Sequence, residues 1–554
     1  MLNPFTKRNA VIFFAMALVM LGNASSSLAA APAIPFTVTM SEAVNISGTP
    51  RIVLDVGGNT RYATYSAGTG TSSLTFTYTA TIGDLDLDGL SIASATLDLN
   101  GGSVTDLNGN PETNLSFVAP ANMSSVKVGY PSLSLDFVAD ADGRYTLNGT
   151  AYNDLTSFLS AAGGTFSRPS IATYFDSTGT LQTAASNTPR FDYDPTTHAA
   201  KGILIEESRT NYVKNSQFSG IPVGTSSSTG SWQLSYGSPP GSSISVTGTG
   251  TQNGIPYIDI RYLLPTNTTG GTQWPSFGML FSDAATVSAG ATTIFSSWFG
   301  ITSYSSTGGT CTIGYSNRSY TSGGAYVSEA TTSFTSTASY AYRISPVMTH
   351  GATAGKAYFA AYVAIPNGAS CDITVRLGGP QFELGSFPTS LIPTTSATVT
   401  RAADSFHVST GSWTSVSGGT IYARADYGGL AWPPDVGGVF ALNDNTTSNR
   451  VDLRAGQMSY FIDGGGSGST NFPGSFSFAG GLPKKFAITY SASVLATSFE
   501  GAAATNATPV LPSGLSRLWV GNIDSGVYWL NGHVAAIKYY PNTVSNTQLQ
   551  LLTQ

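Results

Sequence analysis

An all-β chain made of several sandwich domains is what this sequence predicts, and three observations predict it. Only 10% of the residues are charged, against about 25% in ordinary soluble domains, so the Lys- and Glu-rich surfaces of typical helices are missing. Thr, Tyr, Val and Phe recur in two-residue alternation, the period of a strand with one buried face. Turn residues then interrupt these runs at short intervals. Disorder is excluded by the 11% aromatic and 41% hydrophobic content, which can supply cores that a disordered polar tract lacks. At 554 residues the chain has room for three to four domains of about 150 residues each.

The first element is a leader. Lys7 and Arg8 precede an uncharged apolar run from Ala10 to Leu21, and small and polar residues follow through Asn23 to Ala31. That is the layout of a signal peptide, residues 1–31, with cleavage expected after Ala29 or Ala31. The apolar run is too short for a bilayer, which needs roughly 20 residues, and no later stretch is long and apolar enough to anchor the chain. A secreted or cell-surface location is expected.

Residues 32–128 read as a small sandwich. Phe36-Thr37-Val38-Thr39-Met40, Ile52-Val53-Leu54-Asp55-Val56 and Leu74-Thr75-Phe76-Thr77-Tyr78-Thr79 alternate as strands, with turns at Gly57-Gly58-Asn59, Asp88-Gly89 and Asn108-Gly109-Asn110-Pro111. Together with Ser41-Glu42-Ala43-Val44, Arg61-Tyr62-Ala63, Gly83-Asp84 and the closing Asp106-Leu107-Asn108-Gly109-Asn110, this pattern resembles the bacterial immunoglobulin-like repeats of large surface proteins and adhesins. Such repeats act as spacers.

Residues 129–212 read as a connector with one short helix at Asp154–Leu159. Gly164-Thr165-Phe166-Ser167-Arg168, Ala172-Thr173-Tyr174-Phe175-Asp176, Pro189-Arg190-Phe191-Asp192-Tyr193-Asp194 and Gly202-Ile203-Leu204-Ile205-Glu206-Glu207-Ser208-Arg209-Thr210-Asn211 resemble a module of phage tail, fibre and head-decoration proteins. The resemblance implies architecture more than chemistry. Residues 213–400 read as a jelly-roll sandwich. Its end, Gly379-Pro380-Gln381-Phe382-Glu383-Leu384 through Thr400-Arg401-Ala402-Ala403-Asp404, looks like the carbohydrate-binding-like sandwich that follows the phage module. Residues 401–554 alternate in Thr420–Ala425 and Phe486–Tyr490 and close with Leu530-Asn531-Gly532-His533-Val534, Tyr539-Tyr540-Pro541 and a helical turn at Gln548–Leu552. That domain resembles the concanavalin-A-like, laminin-G-like sandwich, whose members bind glycans, proteins or nothing known, so the fold alone does not choose.

Candidate sites are few. Asp84, Asp86 and Asp88 ahead of Gly89 place carboxylates at alternate positions, as a calcium-wrapping loop does. Ala95 stands where a full twelve-residue loop needs a bidentate Glu, and the same acids also read as a solvated strand-turn in which Asp bonds its own backbone. Trp432 lies in the turn-rich Gly428–Asp435, with Asp444, Asn445 and Arg450 following in a polar loop. This set is the ligand-binding candidate, because an aromatic ring held at a loop can stack on a sugar face. A loop-tucking Trp is the plainer alternative. The apolar neighbours of Trp298 and Trp519 place those two in cores. Cys311 and Cys371, sixty positions apart in an exported chain, are expected to form one disulfide.

Catalysis is not expected. Glu206 and Glu207 are adjacent, so on a strand they face opposite sides and cannot flank one glycosidic bond. No phosphate loop, nucleophile elbow or His-Glu-x-x-His helix occurs. A net charge of −6 and a pI near 5.2 leave no footprint for nucleic acid. The function expected is an exported, adhesin-like carbohydrate-binding protein whose partner is a glycan or cell-surface polysaccharide, with calcium as the one candidate cofactor. A phage-derived tail-fibre or decoration protein is the alternative.

Overall fold

The computed structural model describes residues 10–13, 31–138, 144–235, 239–427, 437–454, 459–464, 469–473, 483–524 and 528–554. Among the described residues strands make up 52% and helix 4%, so the protein is all-β and its layers are antiparallel sheets. Among the described residues one compact unit runs Phe166–Ser405, and the residues up to Thr165 and from Phe406 onward form the other. No helix of the described residues is long and apolar enough to cross a membrane.

In the first unit, the N-terminal sandwich is built on the alternation in its sequence. Phe36, Val38, Ile52, Leu54, Val56, Leu74 and Phe76 are all sealed in one core. Strand Ala33–Ser47 pairs with Thr71–Thr79, Phe36 opposite Phe76 and Val38 opposite Leu74. Arg51–Val56 and Asn59–Ala67 form a hairpin whose turn holds Gly57 at φ 57 and Gly58 at φ 87, the doubly positive backbone of the tight hairpin turn that glycine adopts without cost. Ala10–Phe13, inside the expected leader, pairs with Thr37–Thr39 on one side and Phe117–Val118 on the other. Cleavage of the leader would remove that strand.

The terminal sandwich of the same unit has two sheets. One runs Thr150–Tyr152, Tyr145–Leu147, Leu133–Asp136, Gly532–Tyr540, Gly418–Tyr427, Lys484–Ser491 and Leu495–Phe499; the other runs Ser405–Ser409, Arg517–Val520, Gly438–Asn443, Asn449–Arg454, Ser459–Gly464 and Ser469–Pro473. The span expected as one connector, 129–212, is therefore divided. Its first part pairs directly with the last long strand, Leu133 opposite Tyr539 and Leu135 opposite Ile537, and its helix, Leu155–Ala162, belongs with it. Asp154 caps that helix by accepting from the Ser157 amide, and Leu155, Phe158, Leu159 and Ala162 are buried.

The second unit is a two-layer sandwich. One sheet orders Trp232–Ser235, Ser276–Met279, Lys356–Ala364, Thr312–Tyr320 and Tyr326–Phe334; the other orders Ser243–Gln252, Ile255–Leu264, Ser370–Leu384, Thr292–Thr307 and Ala341–Ile344. Trp232, Phe277, Phe359 and Tyr315 from the first meet Ile260, Val375 and Phe295 from the second. Trp232 stacks on Phe277 at 4.8 Å and donates its indole N–H to the Asn215 carbonyl at 3.1 Å, which satisfies the polar handle of a buried ring. Cys311 and Cys371 are joined as a disulfide, their Cα atoms 6.5 Å apart. Cys371 lies in Ser370–Leu384 of one sheet, and Cys311 directly precedes Thr312–Tyr320 of the other, so the bond ties the layers together.

Candidate functional site

The acidic loop is a docking element of the first unit. Asp84 is fully buried and accepts from Arg61 (2.7 Å), the Thr81 amide (2.8 Å) and the Tyr78 hydroxyl. Asp86 accepts from the Gly57 and Gly89 amides at 2.7 and 2.8 Å. Burial raises the Asp86 carboxyl above its ordinary value, while those two amides pull it back down. Asp88, the exposed one, accepts from Gln548, and Gln548 in turn accepts from the Leu87 amide at 2.7 Å. Leu85 and Leu87 bury against Tyr540. Gly89 holds φ 107, and a Cβ there would meet the Ser124 backbone at 2.3 Å, so only glycine fits the turn. Each of the three carboxylates assigned to calcium on sequence thus accepts from a protein donor. Among the described residues no group of three His, Cys, Asp or Glu side chains is placed to hold a metal ion.

The second candidate set is divided by the structure. Trp432 lies outside the described residues. Asp444 and Asn445 sit on the turn between Gly438–Asn443 and Asn449–Arg454. Asp444 accepts from the Thr446 amide (2.9 Å), and Asn445, at φ 71, accepts from Arg517 (2.9 Å). Arg450 is not part of an open loop. It is 6% exposed and pairs with Asp452 at 2.6 Å, two residues along the same strand face. Burial raises the Asp452 carboxyl, opposed by Arg454 and Arg450. Trp519 is buried as expected. Trp298 is only half-buried and points away from the core, with its ring 5.9 Å from Phe175 and 4.8 Å from Tyr342.

The residues that carried the phage-module resemblance converge in the second unit. Arg190 pairs with Glu206 (2.8 Å) and Asp404 (2.6 Å), Arg168 with Asp404 (3.0 Å) and Arg401 with Glu206 (2.6 Å); all five residues are at most 4% exposed. Ser390 donates its amide and hydroxyl to Glu206 at 2.7 and 2.6 Å. Asn211 bridges the Pro380 and Ile392 carbonyls and the Val213 and Phe382 amides. The signature is a buried joint in which each charge is paired, the condition under which charges are tolerated away from water.

A further candidate surface lies elsewhere, on the outer face of the sheet containing Lys356–Ala364. Along that strand Ala357, Phe359, Ala361 and Val363 enter the core, so Lys356, Tyr358, Ala360 and Tyr362 line the opposite face. On the neighbouring strand Ser316, Arg318 and Tyr320 share this face, with Arg318 opposite Tyr358 and Tyr320 opposite Lys356. Two aromatic groups result. At one end Phe281 lies 5.1 Å from Tyr320 and 5.8 Å from Tyr358, Tyr320 stacks on Tyr358 at 5.4 Å, and Tyr326 packs edge-on to Tyr320 at 5.8 Å. At the other end Trp274 packs edge-on to Tyr362 at 5.3 Å. Trp274 is 50% and Tyr326 57% exposed. On the same face Arg318 pairs with Glu329 at 3.1 Å and donates to Ser316 at 2.9 Å, while Lys356 lies over the Phe281 ring at 4.8 Å.

Flat rings at both ends can stack on apolar ring faces, and the polar groups on that face can hydrogen-bond hydroxyls. Sequence reasoning missed this surface. The signal was present in the Lys-Ala-Tyr-Phe-Ala-Ala-Tyr run at 356–362, where both alternate faces carry aromatics, although a core strand that faces water on one side needs none there.

No protein-family model matches the chain, and no curated protein matches it. Among solved structures it is similar to the CBM40 of the Ruminococcus gnavus IT-sialidase bound to α2,3-sialyllactose, at 11% identity and TM-score 0.22 over 25% of this chain and 83% of that one. It is also similar to the tandem CBM22 domain of a Paenibacillus barcinonensis protein, at 11% identity and TM-score 0.19 over 59% and 99%. A third is the Trypanosoma rangeli sialidase in complex with sialic acid, at 10% identity and TM-score 0.19 over 56% and 62%. Likeness this low carries no functional weight.

Proposed function

We propose that this is an exported, adhesin-like glycan-binding protein that holds its ligand on the outer face of the Lys356–Ala364 sheet. The observation that carries the reading is the arrangement of two aromatic groups on one sheet face, each with one ring half exposed or more, Trp274 at one end and Tyr326 at the other, with the Arg318–Glu329 pair on the same face. Monomeric surfaces seldom expose clustered large rings without a ligand or partner, and rings backed by oriented polar groups are how a protein binds a molecule that is apolar on its faces and hydroxylated at its rim. Export is supported by the leader sequence, and the N-terminal sandwich serves to present the binding unit.

A glycan array read with and without calcium tests the reading. Binding that Trp274→Ala weakens about tenfold, while the variant's circular dichroism stays unchanged, is the expected result. An array with no signal from folded wild-type protein in either condition would overturn it.

A further inference from the structure

Resting on that reading, we infer that the ligand is a linear glycan of at least three sugars that bears a negatively charged unit at the Lys356 end of the face. Length follows from the backbone. Tyr358 and Tyr362 are four residues apart on one extended strand, about 13 Å at 3.3 Å per residue, and Trp274 and Tyr326 lie outside them at opposite ends. One sugar ring cannot reach both groups, so stacking at both requires a chain.

Charge follows from the ions on the face. Arg318 is matched by Glu329, whereas Lys356 contacts the Phe281 ring and, among the described residues, no carboxylate reaches it. One positive charge is left over beside the aromatic cluster, on a protein whose net charge is −6. An ammonium held over a ring, with its remaining donors free, suits a carboxylate or sulfate on a sugar stacked against Tyr326 and Tyr320. Among the described residues no such cation contacts Trp274 or Tyr362, so the charged unit belongs at the Lys356 end.

Titration calorimetry with oligogalacturonides and sulfated galactan oligosaccharides of two to six units, beside neutral cello-oligosaccharides of the same lengths, tests the inference. Affinity for one acidic series should rise about tenfold between two and four units as the second aromatic group is engaged. Lys356→Gln should lower that affinity about three- to tenfold, Lys356→Arg should restore it, and neutral chains should respond to neither. Which acidic series binds separates carboxylate from sulfate. Equal binding of neutral and acidic chains, with Lys356→Gln silent, overturns the charge assignment and leaves the glycan reading standing. Affinity that stays flat with length overturns the chain assignment. Absence of binding to every series, by a folded wild-type protein that also gives no array signal, refutes the glycan reading itself.

Discussion

Glu206 shows how much a single side chain can be asked to hold. Burial alone would raise its carboxyl, but Arg401, Arg190 and Ser390 hold it down at about 2, against the ordinary 4.5. The folded state therefore gives up this proton more readily than the unfolded chain. Its stabilising contribution is complete above about pH 4.5 and is lost as the pH falls towards 2. Glu206→Gln, which leaves Arg190 and Arg401 short of a counter-charge, should destabilise the protein by about 3–5 kcal/mol at neutral pH. Denaturant titration should show that deficit shrinking between pH 4.5 and 2, and a deficit constant across that window would contradict the ionic account. His350 works on the same side of the pH scale. It is buried between the hydroxyls of Thr293 (2.9 Å) and Ser319 (3.0 Å), and burial lowers its pKa below the ordinary 6.5. The unfolded chain takes up the proton first, so stability falls as the pH drops below 6.5. His350→Gln should flatten the stability curve just below pH 6.5.

Among elements, the helix Asn546–Leu552 fixes the acidic loop of the N-terminal sandwich through Gln548. Removing that side chain leaves the Leu87 amide without its acceptor, which costs about 1–3 kcal/mol for a buried donor, so Gln548→Ala should speed hydrogen exchange at Leu87 more than at Leu54 in the sandwich core. Exchange unchanged at Leu87 would refute the latch. The disulfide is the other element-level constraint. It closes a loop with a sequence separation of 60, and reduction, or replacement of both cysteines by serine, should lower unfolding stability by about 2–5 kcal/mol.

This is also the scale at which legibility ends. Strands such as Leu74–Thr79 were legible because their buried faces repeat every second residue over many positions. Leu133–Asp136 and Tyr145–Leu147 were not, since three or four residues carry too little period to say which sheet they join. The acids of the Asp84–Asp88 loop looked free because their partners are distant in sequence, with Gln548 460 positions from Asp88. The signature residues around Arg190 and Asp404 were visible as a pattern, but their mutual pairing was not, because alternation says which face a side chain takes and nothing about which strand comes next to it.

At the level of the whole molecule, the same limit explains why the aromatic face proposed for ligand binding was missed. Tyr320, Tyr358 and Trp274 come to share one sheet face only when three separate stretches of chain are brought side by side, whereas Trp432, Asp444, Asn445 and Arg450 lie close together in sequence and are therefore easier to notice. The all-β composition and low charge predict the sandwich architecture, and the leader carries the expectation of export. The proposal that binding falls on the sheet face of the Phe166–Ser405 unit rests on the folded arrangement instead.

The double variant Trp274→Ala/Tyr326→Ala probes that placement most directly, because both rings are half exposed or more and their loss leaves the core intact. Calorimetry against the strongest glycan found on the array should show wild-type binding and a loss of about a hundredfold in the double variant, each ring contributing about tenfold. A folded double variant that binds as tightly as wild type would contradict the assignment of glycan binding to this face.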